Sequence, residues 1–81
     1  MITITIYSKP GCHLCDEMKA AVSRIAAGVA TIEEVDITSD PALEARYELE
    51  IPVLMIDGKK VAKYRVDENA LRRMIGARGP G

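Results

Sequence analysis

The chain has 81 residues and a nearly balanced charge, and these properties exclude several classes of protein. Apolar residues make up 48% of it and charged residues 28%, with a formal net charge of −1 at pH 7. This composition is typical of a globular protein, and it argues against a disordered chain or the basic face of a nucleic-acid-binding protein. Chains of this length bury only about 60% of their unfolded surface, so the core is small. We predict one domain over residues 1–75 and a flexible tail over residues 76–81.

The N-terminal residues and the two cysteines indicate the compartment in which the chain works. Met1 is followed directly by a strand-like segment, without the basic region and long apolar run of a secretory signal. The sequence also predicts no membrane span. A single close pair of cysteines in so small a domain is typical of transient, catalytic oxidation in a reducing compartment. We therefore expect a cytoplasmic protein with no membrane partner.

The first half of the chain predicts a strand, a helix and a second strand. Residues 2–7 alternate between isoleucine and other side chains in the manner of a strand, and residues 8–11 have the composition of a turn. A helix follows, because apolar side chains then recur at three- and four-residue spacing. This stripe consists of Cys15, Met18, Val22, Ile25 and Val29. Residues 31–37 predict the second strand.

The second half predicts a short helix, a hairpin and a last helix. Asp40 has the position of an N-cap for a helix over residues 41–48, which begins with proline. Residues 53–56 are apolar without alternation, as in a strand that is covered on both faces. An Asp-Gly pair then predicts a tight turn into a strand over residues 60–64. Asp67 has the position of an N-cap for the last helix.

The most informative feature is the pair formed by Cys12 and Cys15 at the start of a helix. The unpaired N–H groups and the positive dipole end of a helix N-terminus favour a thiolate over a thiol. Cys12 lies in the turn before the helix and is the predicted nucleophile. Cys15 lies three residues later and can attack a mixed disulfide on Cys12, which releases the other thiol. The sequence therefore predicts thiol–disulfide exchange. Two roles stay open for His13, either tuning of the redox potential or an ordinary solvated side chain.

Other roles for the pair are a metal site, a pair of inert buried thiols and a partner-docking domain with an unreactive Cys12. Zinc normally takes four ligands, and His13 is the only histidine beside the pair, so we expect no metal in the monomer. An iron–sulfur cluster held through Cys12 at a dimer interface is the main alternative to exchange.

Two motifs and the order of the elements resemble the glutaredoxins. The motifs are YSKPGCHLC over residues 7–15 and Ile51-Pro52, and the resemblance covers nearly the whole chain. The chain is most similar to small bacterial glutaredoxin-like proteins. This resemblance implies a thioredoxin-like α/β fold with a four-stranded mixed sheet in the order 2-1-3-4, flanked by three helices. The first and third helices are expected on one face of the sheet and the second helix on the other.

The resemblance also implies roles for four further residues in binding substrate. Pro52 is expected to be cis and to face the cysteines, so that the backbone N–H and C=O of Ile51 pair with an extended thiol substrate. Lys9 matches the lysine that glutaredoxins place near the glycine carboxylate of glutathione, although it is equally an ordinary surface lysine. Asp67 keeps the acidic position at the γ-glutamyl end of glutathione, and its alternative is the helix cap.

The sequence departs from the glutaredoxin pattern in two places. His-Leu stands between the cysteines where glutaredoxins often have Pro-Tyr, which leaves the redox potential open. Tyr64 and Arg65 stand where glutaredoxins usually have the Gly-Gly pair that a close backbone approach to glutathione needs. We therefore expect weak binding of glutathione, which stays possible as a co-substrate.

The sequence as a whole predicts a thiol–disulfide oxidoreductase that performs dithiol–disulfide exchange. Its expected partners are disulfide-containing protein substrates and a thiol reductant, either glutathione or a donor of the thioredoxin-reductase type. We expect a monomer without a tightly bound cofactor and without a nucleic-acid partner.

Overall fold

The computed structural model describes residues 2–78 and contains four strands and three α-helices. A turn of 3-10 helix over Ile37–Ser39 joins the second strand to the second helix. No helix in residues 2–78 is long and apolar enough to cross a membrane. The elements in chain order are β1 (Ile2–Ser8), α1 (His13–Ala26), β2 (Ala30–Asp36), α2 (Pro41–Tyr47), β3 (Val53–Ile56), β4 (Lys59–Lys63) and α3 (Glu68–Arg78).

The four strands form one mixed sheet in the order β2-β1-β3-β4, as the resemblance implied. β1 pairs parallel with β2, whereas β1 with β3 and β3 with β4 are antiparallel. The two central strands carry the buried side chains, and the alternation in β1 places one set of isoleucines on a single face. That set is Ile2, Ile4 and Ile6.

Two clusters of buried side chains lie on opposite faces of the sheet. In the larger cluster, the isoleucines of β1 pack against α1 and α3, which contribute residues such as Val22 and Leu71. In the smaller cluster, Tyr47 of α2 packs with Val53 of β3 and with Cys15. The first and third helices therefore share one face and the second helix covers the other. The smaller cluster brings the second helix to the cysteine pair.

Two elements end earlier in the structure than the sequence pattern predicts. Val29 was predicted on the apolar stripe of α1, but the helix ends at Ala26 and Val29 is exposed. Gly28 has a φ of +85° and turns the chain away from the helix axis, which explains the difference. Tyr64 was predicted as the end of the fourth strand, but that strand ends at Lys63 because Tyr64 has a φ of +68°.

The predicted boundary between domain and tail falls inside a helix. α3 continues past residue 75 to Arg78, so residues 76–78 are helical in this structure and not a separate segment. Residues 79–81 of the predicted tail lie outside the described residues, and their flexibility stays a prediction.

We expect Asp67→Ala to destabilise the protein by about 1 kcal/mol, because a side-chain N-cap is lost. The Asp67 carboxylate accepts hydrogen bonds from the backbone N–H groups of Asn69 at 2.9 Å and Ala70 at 3.2 Å. Chemical denaturation measures the free energy of unfolding, and Asp67→Asn, which can still accept these bonds, serves as the control. Equal stability of the alanine variant and the wild type would contradict the capping role.

Candidate active site

Cys12 and Cys15 are bonded to each other as a disulfide at the first turn of α1, with Cα atoms 5.2 Å apart. Cys12 is the N-cap of the helix, and its Sγ accepts a hydrogen bond from the backbone N–H of Cys15 at 3.1 Å. Cys12 is partly exposed, whereas Cys15 is only 2% exposed. After reduction, the same N–H and the helix dipole favour a thiolate at Cys12. The two sulfurs therefore differ in access and in electrostatic environment.

An apolar cluster lies behind the buried cysteine. Cys15 packs there with Ile37, Tyr47 and Val53, and Tyr7 covers the edge of the cluster. The rings of Tyr7 and Tyr47 are stacked, with centroids 4.7 Å apart and an interplanar angle of 15°. This packing buries Cys15, so the accessible side of the pair is that of Cys12.

The Ile51–Pro52 peptide bond is cis, as the resemblance implied, and both residues are buried. Ile51 packs in the same cluster as Cys15, so the proline loop and the cysteines are neighbours. One part of the expectation for Ile51 is wrong. Its N–H was expected to be free for substrate, but it donates to the carbonyl of Tyr47 at 3.1 Å. The reason is that α2 ends at Tyr47, whose carbonyl has no partner in a further helical turn.

His13 lies on the exposed surface of α1. Its side chain is 87% exposed, and its Nε2 lies 3.8 Å from a carboxylate oxygen of Glu17, one helical turn further on. Exposed pairs of this kind contribute little to stability. An influence of His13 on the redox potential stays a prediction.

Lys9 lies in a groove of about 260 Å³ at the carboxyl ends of β1 and β2. Three carboxylates line the same groove, those of Asp16, Glu34 and Asp36. A second lysine, Lys19, also lines it, with its Nζ 3.0 Å from a carboxylate oxygen of Glu34. Hydrogen bonds from the hydroxyl and the backbone N–H of Thr38 lower the pKa of Asp36 below its usual value. The three carboxylates outnumber the two lysines of the groove, which weakens its attraction for a carboxylate ligand. The predicted contact of Lys9 with glutathione stays untested.

A second groove, of about 200 Å³, lies between α1 and the segment that precedes α3. Leu14, which stands between the cysteines, lines one side of this groove, and Tyr64 and Arg65 line the other. The two departures from the glutaredoxin pattern therefore meet at one place beside the cysteine pair. Asp67 follows directly, with its carboxylate used as the cap of α3. Its role in binding substrate stays a prediction.

Comparison with known proteins gives the family. The model of the family described as "Glutaredoxin-like domain (DUF836)" matches residues 3–76. The chain belongs to this glutaredoxin-like family. A glutaredoxin-like protein from Dictyostelium discoideum is 34% identical over 77 residues, which cover 86% of this chain and 71% of that protein.

Solved structures agree with the family assignment. A structural-genomics target protein from X. campestris is 35% identical, with a TM-score of 0.76 over 91% of this chain and 96% of that chain. A mutant thioredoxin from Halobacterium salinarum has a TM-score of 0.64 at 24% identity, over 94% of this chain and 73% of that chain, and shares the fold. The glutaredoxin-like chain thus has a thioredoxin fold. Its family and its disulfide pair together indicate a redox function.

The structure also shows what the glutaredoxin-like site contains besides the predicted residues. The stacking of Tyr7 on Tyr47 was not predicted, because the two residues are far apart in the sequence and the motif that begins with Tyr7 does not indicate its partner. Within residues 2–78, no group of three or more His, Cys, Asp or Glu side chains is placed to hold a metal ion. A cluster shared by two chains through Cys12 stays an untested alternative.

Proposed function

We propose that the chain is a thiol–disulfide oxidoreductase that exchanges its cysteine pair with disulfides of protein substrates. The observation that carries this proposal is the difference between the two sulfurs. Cys12 is partly exposed and receives a backbone N–H, whereas Cys15 is buried in an apolar cluster. Exchange through a mixed disulfide needs this arrangement, with one sulfur that meets the substrate and one that attacks afterwards.

In the proposed reaction, the Cys12 thiolate attacks one sulfur of the substrate disulfide. The substrate S–S bond breaks, a mixed disulfide forms on Cys12, and the other substrate sulfur leaves as a thiolate that takes up a proton. Cys15 then loses its proton and attacks the sulfur of Cys12. The mixed disulfide breaks, the second substrate thiol leaves, and the disulfide between Cys12 and Cys15 forms. The substrate gains two electrons, which a thiol reductant later returns to the pair.

The reductant is proposed to be a dithiol protein of the kind used by a thioredoxin-reductase system. Glutathione would need a close approach to the backbone before α3, and bulky Tyr64 and Arg65 line the groove there. The groove around Lys9 contains three carboxylates and two lysines, a balance that weakens its attraction for the glycine carboxylate of glutathione. We further propose that the enzyme works as a monomer in the cytoplasm, where a single reactive pair is kept reduced between turnovers.

We expect glutathione to reduce the oxidised protein at least about tenfold more slowly than a dithiol protein donor, which is the effect of losing roughly one good hydrogen bond. Stopped-flow kinetics with glutathione, or with thioredoxin and its reductase, measure the two rates. Replacing Tyr64 and Arg65 by glycines should raise the rate with glutathione. Arg65→Lys, which keeps the bulk and the charge, is the control and should not raise it.

Two results would contradict the proposed function. Tight binding of glutathione to the unmodified protein, with its γ-glutamyl group near Asp67 in NMR shift maps, would refute the preference for a dithiol donor. A brown, iron-containing dimer after anaerobic purification would support the shared iron–sulfur cluster instead of exchange.

A further inference from the structure

Residues 49–52 lie between α2 and β3 and contain the cis peptide bond; they are called the proline turn below. Its inner residue, Ile51, packs in the cluster that contains Cys15 and that Cys12 borders. Its outer residue, Leu49, is 82% exposed. The proline turn therefore carries an exposed apolar side chain two residues before Ile51, which packs with Cys15.

Tyr64 contacts both ends of the proline turn from the segment after β4. Its hydroxyl donates to the carbonyl of Leu49 at 2.7 Å, and its backbone N–H donates to the carbonyl of Pro52 at 2.8 Å. Within the turn, the N–H groups of Glu50 and Ile51 both donate to the carbonyl of Tyr47. The hydroxyl of Tyr64 thus adds a side-chain contact at the outer end of the turn. The inner end is held by the burial of Ile51 and Pro52 and by backbone hydrogen bonds, and Glu50 forms an exposed ion pair with Lys60.

The backbone of Tyr64 has a φ of +68°, a conformation that glycine adopts freely and that other residues rarely adopt. Glycine would fit the backbone at this position but would provide no hydroxyl. Tyr64 is 44% exposed, and the Nζ of Lys63 lies over its ring at 5.5 Å from the centroid, so the side chain is not held in place by burial in the core. The hydrogen bond to Leu49 is accordingly the contact that distinguishes tyrosine from glycine here.

We propose that Tyr64 is a positioning residue, which holds the proline turn so that Leu49 receives a polypeptide substrate that reacts at Cys12. This inference rests on the proposed function, because it assumes that a protein disulfide reacts at Cys12. The partner is an extended polypeptide that carries a disulfide and an apolar side chain next to it. Tyr64 acts through the turn and does not contact the reacting sulfurs.

Tyr64→Phe tests this proposal because it removes the hydroxyl and keeps the ring. We expect the amide hydrogens of Glu50 and Ile51 to exchange about fivefold faster in this variant, which is the effect of one lost hydrogen bond. The KM for a protein disulfide should rise by a similar factor while kcat stays the same. The rate at which dithiothreitol reduces the oxidised protein should not change, because a small reagent does not use the turn.

Leu49→Ala is the matched control for the hydrogen bond. It keeps the carbonyl that Tyr64 binds, so the exchange of Glu50 and Ile51 should stay at the wild-type rate. The KM for the protein disulfide should still rise, because the apolar contact is gone. In Leu49→Ala, the amide exchange therefore reports whether the turn is held, and the KM reports whether Leu49 contacts the substrate.

Two results would overturn the inference. Unchanged amide exchange in Tyr64→Phe would show that the hydroxyl does not hold the turn. Faster exchange with an unchanged KM would show that the turn does not position the substrate. Failure of the wild-type protein to reduce any protein disulfide would refute the proposed function. This failure can be told apart from a failure of the inference about Tyr64, because the amide exchange is measured without substrate.

Discussion

Cys15→Ser should accumulate a stable mixed disulfide on Cys12 when it is mixed with an oxidised protein substrate, whereas Cys12→Ser should accumulate none. The reason is that Cys12 is the accessible sulfur and Cys15 is 2% exposed. Without Cys15, no second thiol can attack the intermediate, so it persists. Non-reducing electrophoresis and mass spectrometry detect the adduct, and turnover of the protein disulfide should fall to background in Cys12→Ser.

A disrupted start of α1 would not explain the absence of a mixed disulfide in Cys12→Ser. Serine is a good N-cap, so its Oγ can accept the N–H of residue 15 as the Cys12 sulfur does, and α1 should keep its first turn. Circular dichroism and the free energy of unfolding of both reduced variants serve as controls. Equal trapping by the two variants would contradict the assignment of Cys12 as the nucleophile.

Leu71→Ala should destabilise the protein by about 2–5 kcal/mol, the usual cost of removing a buried leucine side chain. Leu71 is fully buried where α3 packs against the sheet and α1. Domains have stabilities of roughly 0.05–0.15 kcal/mol per residue, so this loss is a large fraction of the total for so short a chain. Denaturant titration measures the effect.

Leu49→Ala is the matched control, because it makes the same chemical change at a side chain that is 82% exposed. Its free energy of unfolding should lie within about 0.5 kcal/mol of the wild type. A similar loss of stability in the two variants would contradict the placement of Leu71 in the core, and with it the packing of α3.

The sequence determined the features that depend on neighbouring residues. Cys12 and Cys15 stand at the start of a helix because a turn and a helical stripe surround them, and the hydrogen bond between them spans three residues. The caps formed by Asp40 and Asp67 have the same local origin, since each carboxylate binds N–H groups two or three residues later. Local hydrogen bonds of this kind can be recognised from residue type and spacing alone.

The order of the strands was not determined by these local patterns and came from the resemblance to glutaredoxins. The residues at which the helices and strands end were predicted least accurately. α3 runs past residue 75, and the fourth strand stops before Tyr64. Helix and strand ends depend on tertiary contacts as well as on propensity, because the last residues make few bonds within their own element.

Only the tertiary structure decided how the site is completed around the cysteines. Tyr7 stacks on Tyr47 across 40 residues of sequence, and Tyr64 reaches back 15 residues to the carbonyl of Leu49. The N–H of Ile51 is taken by the end of α2, which no motif in the sequence indicates. Such contacts arise because distant segments are packed on the same sheet. Their partners are therefore set by the arrangement of the whole chain and not by the residues beside them.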